Sequence, residues 1–222
     1  MDKKTQVYEY LKNAIIMNEF KPGTPLVELE ISETLRVSRS PIREALRQLE
    51  VEGLVFSIPA RGSFVSPLTP YDLEEIYELR SVLELWALER SITRIENEEL
   101  DEVQALFEEG YQNNSWETLH RADYMLHALI TEKAWSKRLT TFLNMLSSQS
   151  ERVRFQSARH RGRDDLSYRE HLNIIQCIRE RNLEKSRDAL RSHLRSVARS
   201  ASEVAKMQEA QNASANSQRG RD

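Results

Sequence analysis

The 222 residues carry 32 Lys+Arg against 35 Asp+Glu, a formal net charge of -3, with 39% hydrophobic and 30% charged residues. This describes a soluble globular chain of one large or two small domains and excludes a uniformly basic nucleic-acid coat, so any polyanion site must be a local patch. Six Gly and six Pro are too few for a turn-rich sandwich or barrel, and the single Cys177 excludes an intrachain disulfide or a Cys-based zinc finger and fits a reducing cytoplasm.

No apolar run approaches the ~18 residues of a membrane span, and the opening MDKKTQVYEY lacks the apolar stretch of a secretory signal. The spacing of Val7, Leu11, Ala14 and Ile15 predicts an amphipathic helix over about 4–18. Lys21-Pro22-Gly23-Thr24-Pro25 then interrupts it, because proline cannot continue the hydrogen-bond ladder. A second, short helix is expected at about 28–35, with Leu29, Ile31 and Leu35 as its apolar positions. After the tight Arg36-Val37-Ser38 connection, Ser38 or Ser40 caps a third helix that accepts Pro41 in its first turn. It runs through Ile42, Ala45, Leu46 and Leu49 and stops near Gly53. Leu54-Val55-Phe56 and Ser63-Phe64-Val65 form two short strands joined by residues 57–62. Helix, helix, tight turn, helix and hairpin make a winged helix-turn-helix over residues 1–70, whose third helix would lie in a DNA major groove.

Local charge agrees. Arg36, Arg39, Arg43 and Arg47 stand against one acid, Glu44, within residues 36–47. Arg39 and Arg43 share a helix face at its start, and arginine forks onto guanine or phosphate oxygens. The Ser38 and Ser40 hydroxyls suit phosphate contacts, and Gly62 lets the wing backbone approach a groove with Arg61 beside it. The alternative is a solvated helix face with an ion pair to Glu44 or Glu50.

Several motifs carry a resemblance: Lys21-Pro22-Gly23; Val37-Ser38-Arg39-Ser40-Pro41-Ile42-Arg43-Glu44-Ala45-Leu46-Arg47; Leu49-Glu50, then Glu52-Gly53-Leu54-Val55; and Arg61-Gly62 before Val65. Together they resemble the DNA-binding domain of GntR-type bacterial transcription regulators. The resemblance implies DNA contacts by Ser38, Arg39, Ser40, Arg43, Arg47, Arg61 and Gly62. Arg36 departs from the family's glycine at that turn, and Leu29 sits where some members place an arginine, so the operator sequence does not carry over.

From Tyr71 the pattern is helical, with candidates at about 70–93, 97–112, 115–133, 136–159, 165–181 and 183–207, and with Asn113-Asn114 and Gly162 as connections. The fold class is therefore mainly α: a winged helix-turn-helix and then an all-α bundle of about six helices over 71–207. Residues 71–119 hold 3 basic and 14 acidic residues, and 120–222 hold 20 and 12, so these helices either neutralise one another across a bundle or present two solvated faces. Polar, aperiodic residues 208–222 are expected to be a disordered tail.

Three of the five histidines have apolar neighbours at helical spacing and should point inward: His127, His171 and His193. Asp123 lies four residues before His127, close enough to grip one ion. Leu79-Arg80 with Leu83-Glu84 and Ala87 resembles the start of the effector domain in the FadR branch of the same family. Asp123, His127, His171 and His193 resemble the metal site of its FCD-type effector domain. Three imidazoles and one carboxylate suit a divalent transition metal such as zinc, nickel, iron or manganese, with coordination positions left for water or a small carboxylate. Arg80 could clamp that carboxylate or pair with Glu84. Ser136 replaces an asparagine common in the family. His120 and His160 are expected at the surface, Trp86, Trp116 and Trp135 in a core or interface, and Cys177 as a small buried hydrophobe.

The resemblance implies a homodimeric, cytoplasmic transcription regulator, a repressor as in most relatives, that binds a double-stranded DNA operator under control of a small organic acid. One alternative makes the metal itself the signal. Another is a metallohydrolase with a DNA-binding appendage, against which stand the lack of a separate general base and of a nucleophile motif.

Overall fold

The computed structural model describes residues 2–157 and 163–219, with side chains described for 2–152 and 163–207. The first unit comprises α1 (Lys3–Ile16), β1 (Pro25–Leu26), α2 (Glu28–Leu35), α3 (Arg39–Val51), β2 (Val55–Ile58) and β3 (Gly62–Val65). Asp2 starts α1 by accepting from the Thr5 amide at 2.7 Å. Val7, Leu11 and Ile15 of α1 pack against Ile31, Ile42, Ala45, Leu46 and Leu49, and the wing closes the core with Leu54, Val55 and Val65. Leu29 is a correction: it is 52% exposed, while Ile31 alone of α2 is fully buried. An eight-residue helix can turn only a narrow face inward.

The turn between α2 and α3 explains the departure at position 36. Arg36 ends α2 in the left-handed conformation, φ 52°. That backbone favours glycine and costs a side-chain-bearing residue ~1–2 kcal/mol. The wing is tighter than residues 57–62 suggested. Ser57 and Ile58 extend β2 and Gly62 begins β3, with Val55 opposite Val65 and Phe56 stacked on Phe64. The Arg61 amide closes back on the Ile58 carbonyl at 3.0 Å. A third strand, β1, pairs with β3 through Pro25 and Leu26, in the stretch expected only to interrupt the chain. Proline is tolerated there because β1 is an edge strand.

The second unit comprises α4 (Pro70–Ser91), α5 (Asn97–Gln112), α6 (Trp116–Lys133), α7 (Lys137–Ser157), α8 (Arg163–Arg179) and α9 (Leu183–Arg219). Thr69 and Asp72 form a capping box at α4 with Pro70 in its first turn, and Ser115 caps α6. Leu88, Leu100, Phe107, Leu126, Ile130, Ile174, Ile178, Leu190 and Leu194 form the shared core. Helix α9 continues to Arg219, so most of the stretch expected as a disordered tail is helical. Ala, Gln and Glu dominate its start, and no proline or glycine interrupts it before Gly220. Cys177 is buried, and burial pushes its thiol up. Trp86 and Trp135 are exposed rather than core, each under an arginine, Arg90 and Arg94.

The two units meet along α7. Ser148 Oγ donates to the Glu52 carboxylate at 2.8 Å, as does Tyr8 Oη at 2.7 Å, and Gln149 Nε2 donates to the Glu52 carbonyl at 2.8 Å. Arg152, buried, donates to the Ser66 carbonyl at 2.7 Å, and burial lowers its guanidinium to about 10. Gly53 is favoured here by its φ of +72°, and a Cβ, 2.1 Å from Gln149 Nε2, would displace that side chain from the Glu52 carbonyl.

Candidate metal centre and nucleic-acid interface

Asp123 and His127 on α6, His171 on α8 and His193 on α9 converge inside the bundle. All four are buried, and one ligand atom of each lies within 4.8 Å of the others. His171 Nε2 is 3.1 Å from Asp123 Oδ1, and His127 Nε2 is 3.8 Å from it. Neighbouring donors around a metal at about 2.0–2.1 Å sit about 2.9–3.4 Å apart.

The surrounding residues decide what these imidazoles can do. His127 Nδ1 lies 2.5 Å from Glu84 Oε2, His171 Nδ1 2.7 Å from the Ser167 carbonyl, and His193 Nδ1 3.0 Å from Glu170 Oε2. A carbonyl and an ionised carboxylate only accept, so each Nδ1 carries its ring's proton and each Nε2 is left as the basic nitrogen. With its proton on Nδ1, a neutral His171 turns the lone pair of Nε2 toward the Asp123 carboxylate 3.1 Å away, a contact that a metal ion or a second proton on the ring bridges. The donor set and its supports therefore fit a divalent transition metal.

Arg80 donates to Glu84 through Nε at 2.8 Å, and the pair is buried. Burial pushes the Glu84 carboxyl up, but Arg80 and then His127 outweigh it and hold it at about 2. Of the two readings of Arg80, the ion pair is present, and Arg80 Nη1 is still left buried with no hydrogen-bond partner. A cavity of about 130 Å³ reaches this arginine and His127 and is lined also by Tyr124, Thr131, Asn144 and Ser147. A second cavity, of about 70 Å³, reaches Asp123 beside Trp116, His120 and Arg163. His120 is thus half-buried against Trp116, their ring centres 5.1 Å apart, rather than a plain surface residue. His160 and Gly162 lie outside the described residues. Ser136 stands at the start of α7, where its hydroxyl accepts from the Leu139 amide at 3.4 Å.

In the first unit, Ser38, Arg39, Ser40, Arg43 and Arg47 on or beside α3 and Arg61 and Gly62 in the wing are all exposed. Ser38 occupies the N-cap position of α3 without using its hydroxyl to cap it. Arg43 pairs with Glu28 at 2.9 Å, rather than with Glu44 or Glu50, and this contact raises its guanidinium further. Glu50 instead accepts from the Ser57 amide at 3.1 Å and ties the wing to α3. Glu170, Ser167 and the α7–Glu52 contacts escaped the sequence reading. Glu170 had a signal, adjacent to His171, whereas Glu52 and Ser148 are 96 residues apart.

Residues 3–65 match the gntR family of bacterial regulatory proteins and residues 75–196 match the FCD domain. The HTH-type transcriptional regulator YdhC of Bacillus subtilis is 30% identical over 87% of this chain and 90% of its own length. The HTH-type transcriptional repressor RspR of Escherichia coli is 25% identical over 90% and 89%. A GntR regulator structure from Rhodococcus sp. RHA1 superposes with a TM-score of 0.75 at 25% identity, covering 90% of this chain and 98% of that one. No helix among the described residues is long and apolar enough to cross a membrane. The chain belongs to the GntR family: it is a DNA-binding transcription regulator with an FCD effector domain, not an enzyme.

Proposed function

We propose that this regulator is a homodimeric repressor whose grip on its operator is set by a small carboxylate held beside a metal in the FCD domain. The observation that carries the reading is the Asp123, His127, His171 and His193 cluster, each imidazole fixed through Nδ1 and aimed inward through Nε2. Zinc, nickel, iron or manganese would be held by these four residues and would offer an anionic oxygen a place to bind. Arg80 lines the adjoining cavity and would give that anion a second anchor, with Tyr124, Thr131, Asn144 and Ser147 to select its remaining groups. Ser38, Arg39, Ser40, Arg43 and Arg47 contact one half-site, and Arg61 and Gly62 of the wing the flanking groove. The name of RspR as a repressor supports the direction of control.

Helix α7 supplies the link. Thr140, Asn144 and Ser147 face the cavity, and Ser148, Gln149 and Arg152, within two turns of Ser147, hold Glu52 and Ser66 of the winged helix. A ligand that shifts α7 must therefore break or re-form contacts with the DNA-binding unit. A thermal-shift screen of small carboxylates, with zinc, nickel or manganese and with chelator, tests the reading. A ligand at about 100-fold over its Kd contributes about 2.7 kcal/mol, a rise on the order of 5–10 °C for a chain of this size. That rise should appear in the metal-loaded protein and vanish with chelator. A rise of equal size in both would place the ligand elsewhere.

A further inference from the structure

The cavity beside Arg80 carries more acid than a site for an anion alone calls for. Its lining includes Glu132 on α6, the residue after Thr131, and Glu151 on α7, one turn beyond Ser147. Arg80 and Glu84, also in the lining, cancel as a buried ion pair. Among the described residues neither Glu132 nor Glu151 has an ion pair, unlike Glu170, which Arg163 neutralises. One carboxylate group on a divalent ion beside Asp123 would use up the charge left there, and two negative charges would still face the ligand. Inside a partly enclosed site such charges act more strongly than in bulk water. A dicarboxylate would set its second charge against them, whereas an ammonium group would complement them. The cavity's volume, about 130 Å³, sets the size. A cavity of about 150 Å³ holds benzene, so this one encloses roughly six or seven non-hydrogen atoms. Ala128 and Leu143 supply its apolar lining, too little to cover a long hydrocarbon chain.

We propose that the effector is a small amino acid, its carboxylate toward Arg80 and the metal and its ammonium group toward the acidic lining of Glu132 and Glu151. The inference rests on the metal-centred carboxylate reading above and narrows it from an anion to a zwitterion. The same two glutamates select against di- and tricarboxylates by repulsion.

Isothermal titration of the metal-loaded full chain tests it with matched probes. Alanine, β-alanine and 4-aminobutyrate are compared with isobutyrate, butyrate and valerate, in which methyl replaces the ammonium group, and with methylmalonate, succinate and glutarate, in which carboxylate replaces it. At least one amino acid should bind at least tenfold more tightly than both of its matched acids. Combining Glu132→Gln with Glu151→Gln should bring that ratio to within about threefold, with helical circular dichroism and metal content as in the parent. A matched acid that binds as tightly as its amino acid, or a double variant that keeps the full preference, overturns the ammonium assignment while a carboxylate effector stands. Binding by none of these compounds overturns the small amino acid and leaves the carboxylate reading standing. Amino acid binding that survives chelation overturns the metal-centred reading instead.

Discussion

The parent chain should emerge from purification with close to one divalent transition metal per chain, and His127→Ala protein should emerge without it and melt lower. At metal concentrations about 1,000-fold over Kd the site contributes about 4 kcal/mol. At about 2–4 °C per kcal/mol for a chain of this size, its loss lowers the melting temperature by on the order of 10 °C. The size follows from placement: one ion would tie α6, α8 and α9 together, and the substitution also removes the imidazole that bridges to Glu84. Chelated parent and His127→Ala should melt within a few degrees of each other, which separates lost metal from lost packing. His120→Ala is the control: it lines the neighbouring cavity outside the four-residue cluster and should keep its metal. Elemental analysis checks occupancy and calorimetry the melting. Absence of metal from the parent after dialysis against zinc, nickel or manganese would refute the site.

On DNA, Arg39→Ala and Arg43→Ala should each weaken binding to an operator selected from random duplexes by about 1–3 kcal/mol, which is roughly 5- to 150-fold. Both side chains are exposed at the start of α3, so neither substitution should alter folding. Arg43 carries a further expectation. It is held by Glu28 on α2, which orients its guanidinium before DNA arrives. Exposed ion pairs contribute little to stability, so the pair's effect should appear in binding and not in melting. Gel-shift titration at fixed salt measures both variants, and unchanged affinity would remove α3 from the interface.

The helices and the Asp123–His127 pair were legible because they depend on local spacing, whereas His171 and His193 joined that pair through the resemblance to the FCD-type domain. Period-3.6 apolar residues mark a buried helix face, and Asp123 and His127 reveal themselves as one-turn neighbours. The departure at Arg36 was visible too, and the left-handed backbone there shows what glycine would have supplied. Leu29 misled because apolarity alone does not say which residues of a short helix find a core. Trp86 misled for a related reason: it is apolar and helical in spacing, yet it faces away from its own bundle. β1 was hidden in two residues whose only signal was a proline. The contacts of α7 with Glu52 and Ser66 were not legible, because they join residues 86 to 97 positions apart and depend on how two separately folded cores meet. The second partners of the histidines were half legible. Glu84 was read as a partner of Arg80, and only the fold shows its other oxygen against His127.

The most direct test of the account is operator affinity of the full chain, titrated with the carboxylate that best stabilises it, in metal-loaded and chelated protein. Coupling between two sites of one protein typically amounts to about 5- to 150-fold in affinity. The ligand should shift operator affinity within that range when metal is present and leave it unchanged after chelation, while chelation alone leaves operator affinity within about threefold. An operator affinity that the ligand does not move in the metal-loaded protein, or moves equally in the chelated protein, would contradict control through the Asp123–His127–His171–His193 centre.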